Sequence, residues 1–248
     1  MFMISAPLIA SVLVYGSAIV TGLTLQRRAV DFFDPAQGGG SIFDNATFGG
    51  EPMNVIISGL SSPDVLTDDG ILNFAQAIGF SQECLGLHLG DPQTANLGDG
   101  NGSVNQTIEF RQDFGSDFLG TCLESLIGGN HFRVFRQDGT QANSGALFLA
   151  ASKEQPVNKN HDIIPDGYNI GRDELVAAAV GTKSHGGVTY QVDAKNITGI
   201  MPAGSDGVNH GMSRPAEHFE LDRLTQPVCA TLGIAVDGIV TLLTVTIQ

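Results

Sequence analysis

The chain has no tryptophan, only three cysteines and little positive charge. Lys and Arg number 12 against 26 Asp and Glu, a formal net charge of −14 over 248 residues. A surface this acidic is repelled by phosphate backbones and anionic lipid, so nucleic acid is not expected as a partner. Charged residues are scarce in total, 15% against 42% hydrophobic, which excludes a disordered acidic tail. Gly-x-Ser-x-Gly, the P-loop and His-Glu-x-x-His are all missing. No cofactor is therefore expected. There is no internal repeat. The 32 glycines, with no tryptophan, read as a compact, turn-rich fold of small side chains. The length suits one large domain or two small ones.

Charge is also missing from the first 26 residues. The apolar run Leu8 to Tyr15, then small residues and a cleavage site near Val20-Thr21-Gly22, make 1–22 a secretory signal peptide without the usual basic start. An uncleaved anchor is the alternative, weakened by Pro7, Ser11, Gly16 and Gly22. After cleavage no stable membrane span is expected, and the protein is read as extracellular. Four sequons begin at Asn45, Asn101, Asn105 and Asn196 and agree with a secreted glycoprotein; they place those segments on the surface. In an oxidising compartment three cysteines give one bridge and one leftover. Cys84–Cys122 is the expected pair, closing a loop of about 38 residues worth roughly 3–4 kcal/mol. Three free buried thiols are the alternative.

Residues 23–50, with the Asp34 to Ser41 glycine-rich stretch, read as a linker or extended N-terminal segment, with order beginning near Glu51. Residues 51–248 read as a single domain. Met53 to Gly59 is a buried strand, Gly70 to Ile78 a helix by its 3- and 4-residue apolar spacing, and Cys84 to Leu89 a second strand. Gly90 to Ser103 reads as a loop, and Val104 to Phe110 as extended. Leu119 to Ile127 is a short helix stopped by Gly128-Gly129. His131 to Arg136 is a period-2 strand and Ala146 to Ala151 a buried one. Arg172 to Val180 is a helix opening on Asp173 and Glu174. Val188 to Val192 and Gly238 to Ile247 are strands, the last central. The expected fold is an α+β (or α/β) sandwich, a mixed β-sheet with a few short helices packed on it.

Residues 212–232 break the style of their surroundings, adding Cys229 and several charges between two glycine-rich β segments. Gly211-Met212-Ser213, Leu224-Thr225 and Leu232-Gly233 can be encoded with a fungal-type splice donor, branch point and acceptor in one phase. A retained intron and an ordinary surface loop are both open.

Three segments, His131-Phe132-Arg133-Val134-Phe135-Arg136, Ala146 to Lys153, and His161-Asp162-Ile163-Ile164-Pro165-Asp166 leading to Arg172-Asp173, resemble the LssY C-terminal-like domain. That family has a His-x-Arg-hydrophobic-aromatic-Arg strand, a second strand, then His-x-Ile-x-Pro-Asp and an Arg-Asp helix start. Met53 to Gly59 is similar to its first strand. The likeness covers roughly residues 50–181, and the whole chain resembles secreted fungal single-domain members. In those the chain passes from Asn-His-Gly directly into Ile-Ala-Val-Asp-Gly, which favours the intron. The resemblance carries over no established activity.

The matched polar residues define the candidate site. His131, His161 and Asp166 are the catalytic candidates; Arg133, Arg136, Arg172 and Asp173 are the binding candidates. On the strand, His131 and Arg133 share a face and Arg136 lies on the other. Histidine can exchange protons near neutral pH, and arginine can clamp a carboxylate or phosphate. Two readings follow. In one the chain is a structural or ligand-binding glycoprotein, its partner a small anionic ligand or cell-wall component, with Asp166 and Asp173 neutralising the arginines. In the other it is a phosphoester hydrolase using the His/Arg/Asp group. A metal site from His131, His161 and Asp166 lacks close ligand spacing, so no metal is expected. His88, His185, His210 and His218 are isolated, and the acidic loop Asp91 to Asp99 lacks EF-hand alternation.

Overall fold

The computed structural model describes residues 29–45, 50–87, 92–204 and 234–248. The signal segment and the 212–232 insert with Cys229 lie outside these, as do His88, His210 and His218. Ten strands and three α-helices follow in order: β1 (Val55–Ile57), α1 (Asp68–Ala77), β2 (Phe80–Gln82), β3 (Thr94–Asn96), β4 (Ser103–Asn105), β5 (Ile108–Gln112), α2 (Gly120–Ile127), β6 (Asn130–Arg136), β7 (Leu147–Lys153), α3 (Gly167–Ala179), β8 (Gly181–His185), β9 (Val188–Thr198) and β10 (Ile239–Ile247). Eight strands form one mixed sheet in the order β2-β5-β6-β7-β1-β10-β9-β8, while β3 and β4 make a separate hairpin. The α+β sandwich expected from the sequence is the fold observed. Among the described residues no helix is long and apolar enough to cross a membrane.

Both faces of the sheet centre are buried, as continuous apolar runs require. On β7, Leu147, Leu149 and Ala151 join one core cluster and Phe148 and Ala150 the other. β1 divides likewise, Val55 and Ile57 against Ile56, and β10 divides Leu243 and Val245 against Val240 and Leu242. The first cluster is closed by Ile71 and Phe74 of α1 and Leu175 of α3; the second by Ile42, Ala95, Leu97, Met201 and Ile234. The strand β10 is central as expected. It pairs in parallel with β1, Val55 opposite Thr241, and antiparallel with β9.

Several local expectations change. Residues 29–45 are stitched to the domain: Asp31 accepts from Gly59 N and Ser58 Oγ, both at 2.6 Å, and Ile42 is buried. Order thus begins before Glu51. Its glycines hid this, since loops can be fixed by hydrogen bonds without apolar periodicity. Of the expected strand Cys84 to Leu89, Cys84–Gly86 is a 3-10 turn and 88–89 lie outside the described residues; the strand lies earlier, at β2. Cys84 is bridged to Cys122 of α2. The loop after Gly90 contains β3, pairing with β4. Helix α3 starts at Gly167, so Asp173 and Glu174 sit in its second turn and do not open it.

Candidate functional site

Four charged side chains occupy adjacent positions on β5 and β6. Antiparallel pairing sets Glu109 opposite Arg133 and Arg111 opposite His131, and the period of two puts all four on one face. Apolar partners Phe110 and Phe132 point to the other face, where they pack with centroids 5.1 Å apart. The charged square lies on the same side of β6 as Phe135, a member of the second core cluster.

Further carboxylates converge from neighbouring segments. Glu51 precedes β1, Glu154 follows β7, and Glu124 comes from α2. All three are buried, as are Glu109, His131 and Arg133. Arg133 Nη1 donates to Glu51 Oε2, and its Nε lies 3.2 Å from Glu109 Oε2. Arg111 Nη2 donates to Glu109 at 2.7 Å; its Nη1 donates to Glu124 Oε2 at 2.9 Å and Glu154 Oε2 at 3.4 Å. Glu83 lies 3.7 Å from Arg111 Nε. His131 places Nε2 2.9 Å from Arg133 Nη1 and 3.3 Å from Ser152 Oγ, with Nδ1 3.6 Å from Glu154 Oε1. His161 sets its Nδ1 3.4 Å from Glu154 Oε2. Five carboxylates thus face two guanidinium groups.

Two turns make this convergence possible. Gly128 has φ +80°, and a Cβ there would lie 2.5 Å from the Glu154 carbonyl oxygen; a Cβ on Gly129 would lie 2.8 Å from Glu124 Cγ. Only glycine lets the chain leave α2 and enter β6 this tightly. At the other turn Asn160 and His161 both have positive φ, 58° and 55°. For histidine this backbone is uncommon and costs free energy, and here it delivers the imidazole to Glu154.

The electrostatics follow from burial. Burial pushes the Glu124 carboxyl up to about 7, against the pull of Arg111. Burial pushes His131 down, with Glu154 opposing and Arg133 adding to this, and Arg133 Nη1 faces the ring at Nε2. His161 moves up, chiefly through its hydrogen bond to Glu154. Burial works to raise Glu109, but Arg133, His131 and Arg111 more than reverse it and hold it below the usual carboxylate range. A cleft of ≈ 380 Å³ reaches the group along Glu83, Gln106, Thr107 and Glu109.

Of the residues singled out in the sequence, the structure brings together His131, Arg133 and His161. The others lie elsewhere. Arg136 is on the opposite face of β6, donating to Leu66 O at 2.6 Å and to Asp68. Arg172 is spent on Asp237, with bonds of 2.6 and 2.9 Å, on Asp173 and on Ile239 O. Asp173 is that neighbour, and Asp166 is exposed and accepts from Asn169 at 2.5 Å. The expected gathering of Arg172 and Asp166 with the His-x-Arg strand therefore does not form, because Asp237, beyond the resembling segments, captures Arg172. Among the described residues the four arginines, Arg111, Arg133, Arg136 and Arg172, each engage a carboxylate of the chain. His185 faces Asp117 at 3.8 Å. Asp99 of the acidic loop accepts from backbone N–H groups of Asn101, Asp138 and Gly139, so it serves as a turn-former.

Missed in the sequence were Glu51, Glu83, Glu109, Arg111, Glu124 and Glu154. The signal for two of them was present: once Ile108 and Phe110 are read on one face, Glu109 and Arg111 fall on the other. Glu124, His131 and Glu154 each bring a ligand atom within 4.8 Å of the others, a constellation able to hold a cation. Comparison with protein-family models, with curated proteins and with solved structures finds no match.

Proposed function

We propose that the chain is an exported glycoprotein of the cell surface or medium, a single-domain relative of the LssY C-terminal-like group, that acts by binding and not by phosphoester hydrolysis. The observation that carries this reading is that Arg111, Arg133, Arg136 and Arg172 are each paired with the chain's own carboxylates. A phosphoester hydrolase needs a cationic clamp open to its substrate. The buried group instead has an excess of carboxylate and suits a cationic ligand. Export is supported by the Cys84–Cys122 bridge and by the exposure of Asn45, Asn101, Asn105 and Asn196.

Production in a secreting eukaryotic host tests both parts. Medium protein that loses mass on enzymatic deglycosylation, at sites abolished by Asn→Gln changes, and that hydrolyses no phosphomonoester or phosphodiester agrees with the reading. Retention in the cytosol without glycan overturns the export part. Phosphoester hydrolysis abolished by His161→Ala in a folded protein overturns the binding part.

A further inference from the structure

Helix α2 is built inside out. Leu119, Leu123, Leu126 and Ile127 are exposed, whereas Thr121 and Glu124 are buried, Glu124 at 0%. An amphipathic helix normally buries its apolar stripe. Exposing leucine forgoes roughly 1.5–3 kcal/mol each, and burying a carboxylate costs several kcal/mol. This orientation runs against both, so the buried carboxylate has to be offset by a partner within the group it faces.

Arg111 accounts for only part of it. It engages Glu124 Oε2; among the described residues Oε1 has no hydrogen-bond partner, and neither does His131 Nδ1, also fully buried. Orphaned buried polar atoms of this kind are rare in native proteins. These two residues, with Glu154, hold ligand atoms within 4.8 Å of one another. Five carboxylates stand around two guanidinium groups here.

We propose that Glu124, His131 and Glu154 bind a divalent transition-metal ion of the zinc or manganese type, with His161 standing at its mouth. This deepens the binding reading above by naming the ligand class, and rests on it for the choice of site. One imidazole nitrogen with carboxylate oxygens suits such ions; magnesium and calcium prefer oxygen alone, and among the described residues no thiolate joins the group to favour a softer ion. Zn–ligand bonds of about 2.0–2.2 Å require the three side chains to close slightly on the ion. Ligation through His131 Nδ1 puts the ring proton on Nε2. There Ser152 Oγ at 3.3 Å accepts it, and the contact with Arg133 lengthens. Ser152 thus orients the ring, with Arg111 holding Oε2 of Glu124 and of Glu154.

The test is zinc titration of the full-length secreted protein after chelator stripping, by calorimetry and by thermal melting. The expected result is one ion per chain at micromolar affinity or better, with a higher Tm on loading. Glu124→Gln should weaken binding at least a hundred-fold, and His161→Ala by about ten-fold. His185→Ala, at a histidine outside the group, should change nothing. If Glu124→Gln does not fold, the visible spectrum of the cobalt(II)-loaded wild type gives the second reading: bands of low-symmetry four- or five-coordinate cobalt are expected, and the spectrum of the hexa-aquo ion overturns the site. Absence of 1:1 binding, or binding indifferent to both Glu124→Gln and His161→Ala, also overturns it. A chain that takes up no metal and hydrolyses nothing refutes this inference alone; metal-dependent hydrolysis refutes the binding reading and leaves the site standing.

Discussion

His131 Nδ1 lies 3.6 Å from Glu154 Oε1. The imidazole comes from the middle of the sheet and the carboxylate from just past the end of β7, so their approach depends on the β6–β7 register, which sets His131 opposite Ser152. On its other side His131 leans on Arg133, which links it to Glu51 and Glu109.

Removing that arginine should be severe. Arg133→Met keeps the volume but leaves Glu51 buried without its guanidinium partner and Glu109 with Arg111 alone. Breaking one side of a buried ion pair costs about 3–5 kcal/mol. Urea unfolding is expected to shift by that amount, and a loss below about 1 kcal/mol would show that the network is not structural.

Gly129→Ala places a methyl group 2.8 Å from Glu124 Cγ. Helix α2 must then shift or the carboxylate must turn away. Overpacking of this kind costs about 1–3 kcal/mol. The Tm should fall and zinc affinity with it; an unchanged affinity would mean that Glu124 is free to adjust.

The inverted helix predicts tolerance where apolar residues usually give none. Leu126→Lys adds a charge to an exposed position, so stability should stay within about 0.5 kcal/mol of the parent. A loss above 2 kcal/mol would show that Leu126 is covered in solution. Replacing both Cys84 and Cys122 by serine should cost roughly 3–4 kcal/mol, measured by chemical unfolding, because the bridge ties α2 to the Cys84–Gly86 turn.

The pH dependence is clearest at Arg172–Asp237. Burial tends to raise Asp237, but hydrogen bonds from Arg172 and from Ile239 N outweigh it and leave its pKa below 3.8. The folded state therefore binds this proton less readily than the unfolded chain. The pair's contribution is complete above the ordinary carboxylate value and fades as pH falls through the lower folded value. Asp237→Asn should lower the Tm at neutral pH, with the gap to the parent closing in acid. A gap that persists unchanged at pH 2 would assign the loss to packing.

Periodicity made much of the fold legible. The alternation in His131 to Arg136 and the apolar runs at Met53 to Gly59, Ala146 to Ala151 and Gly238 to Ile247 mark strands that the structure contains. The 3-10 turn at Cys84 looked like a strand because its leucines are apolar, yet Leu85 and Leu87 are exposed. Half of the site was visible, since His131 and Arg133 share a face by strand geometry alone. The remainder depends on strand partners: nothing local says that Glu109 faces Arg133, or that Asp237 takes Arg172. Glu124 was hidden most deeply, because pattern reasoning assigns the polar side of α2 to water.

The parallel pairing of β1 with β10 also sets an order of events. Val55–Ile57 leaves the ribosome long before its parallel partner Thr241–Leu243. Until then β1 has one neighbour in place of two, and the β8–β9 hairpin has no strand through which to join the rest. The sheet centre closes only through contacts distant in sequence, a topology that folds slowly. The domain can lock only once β10 has been made, and a truncation removing β10 leaves two fragments of sheet with an open edge between them.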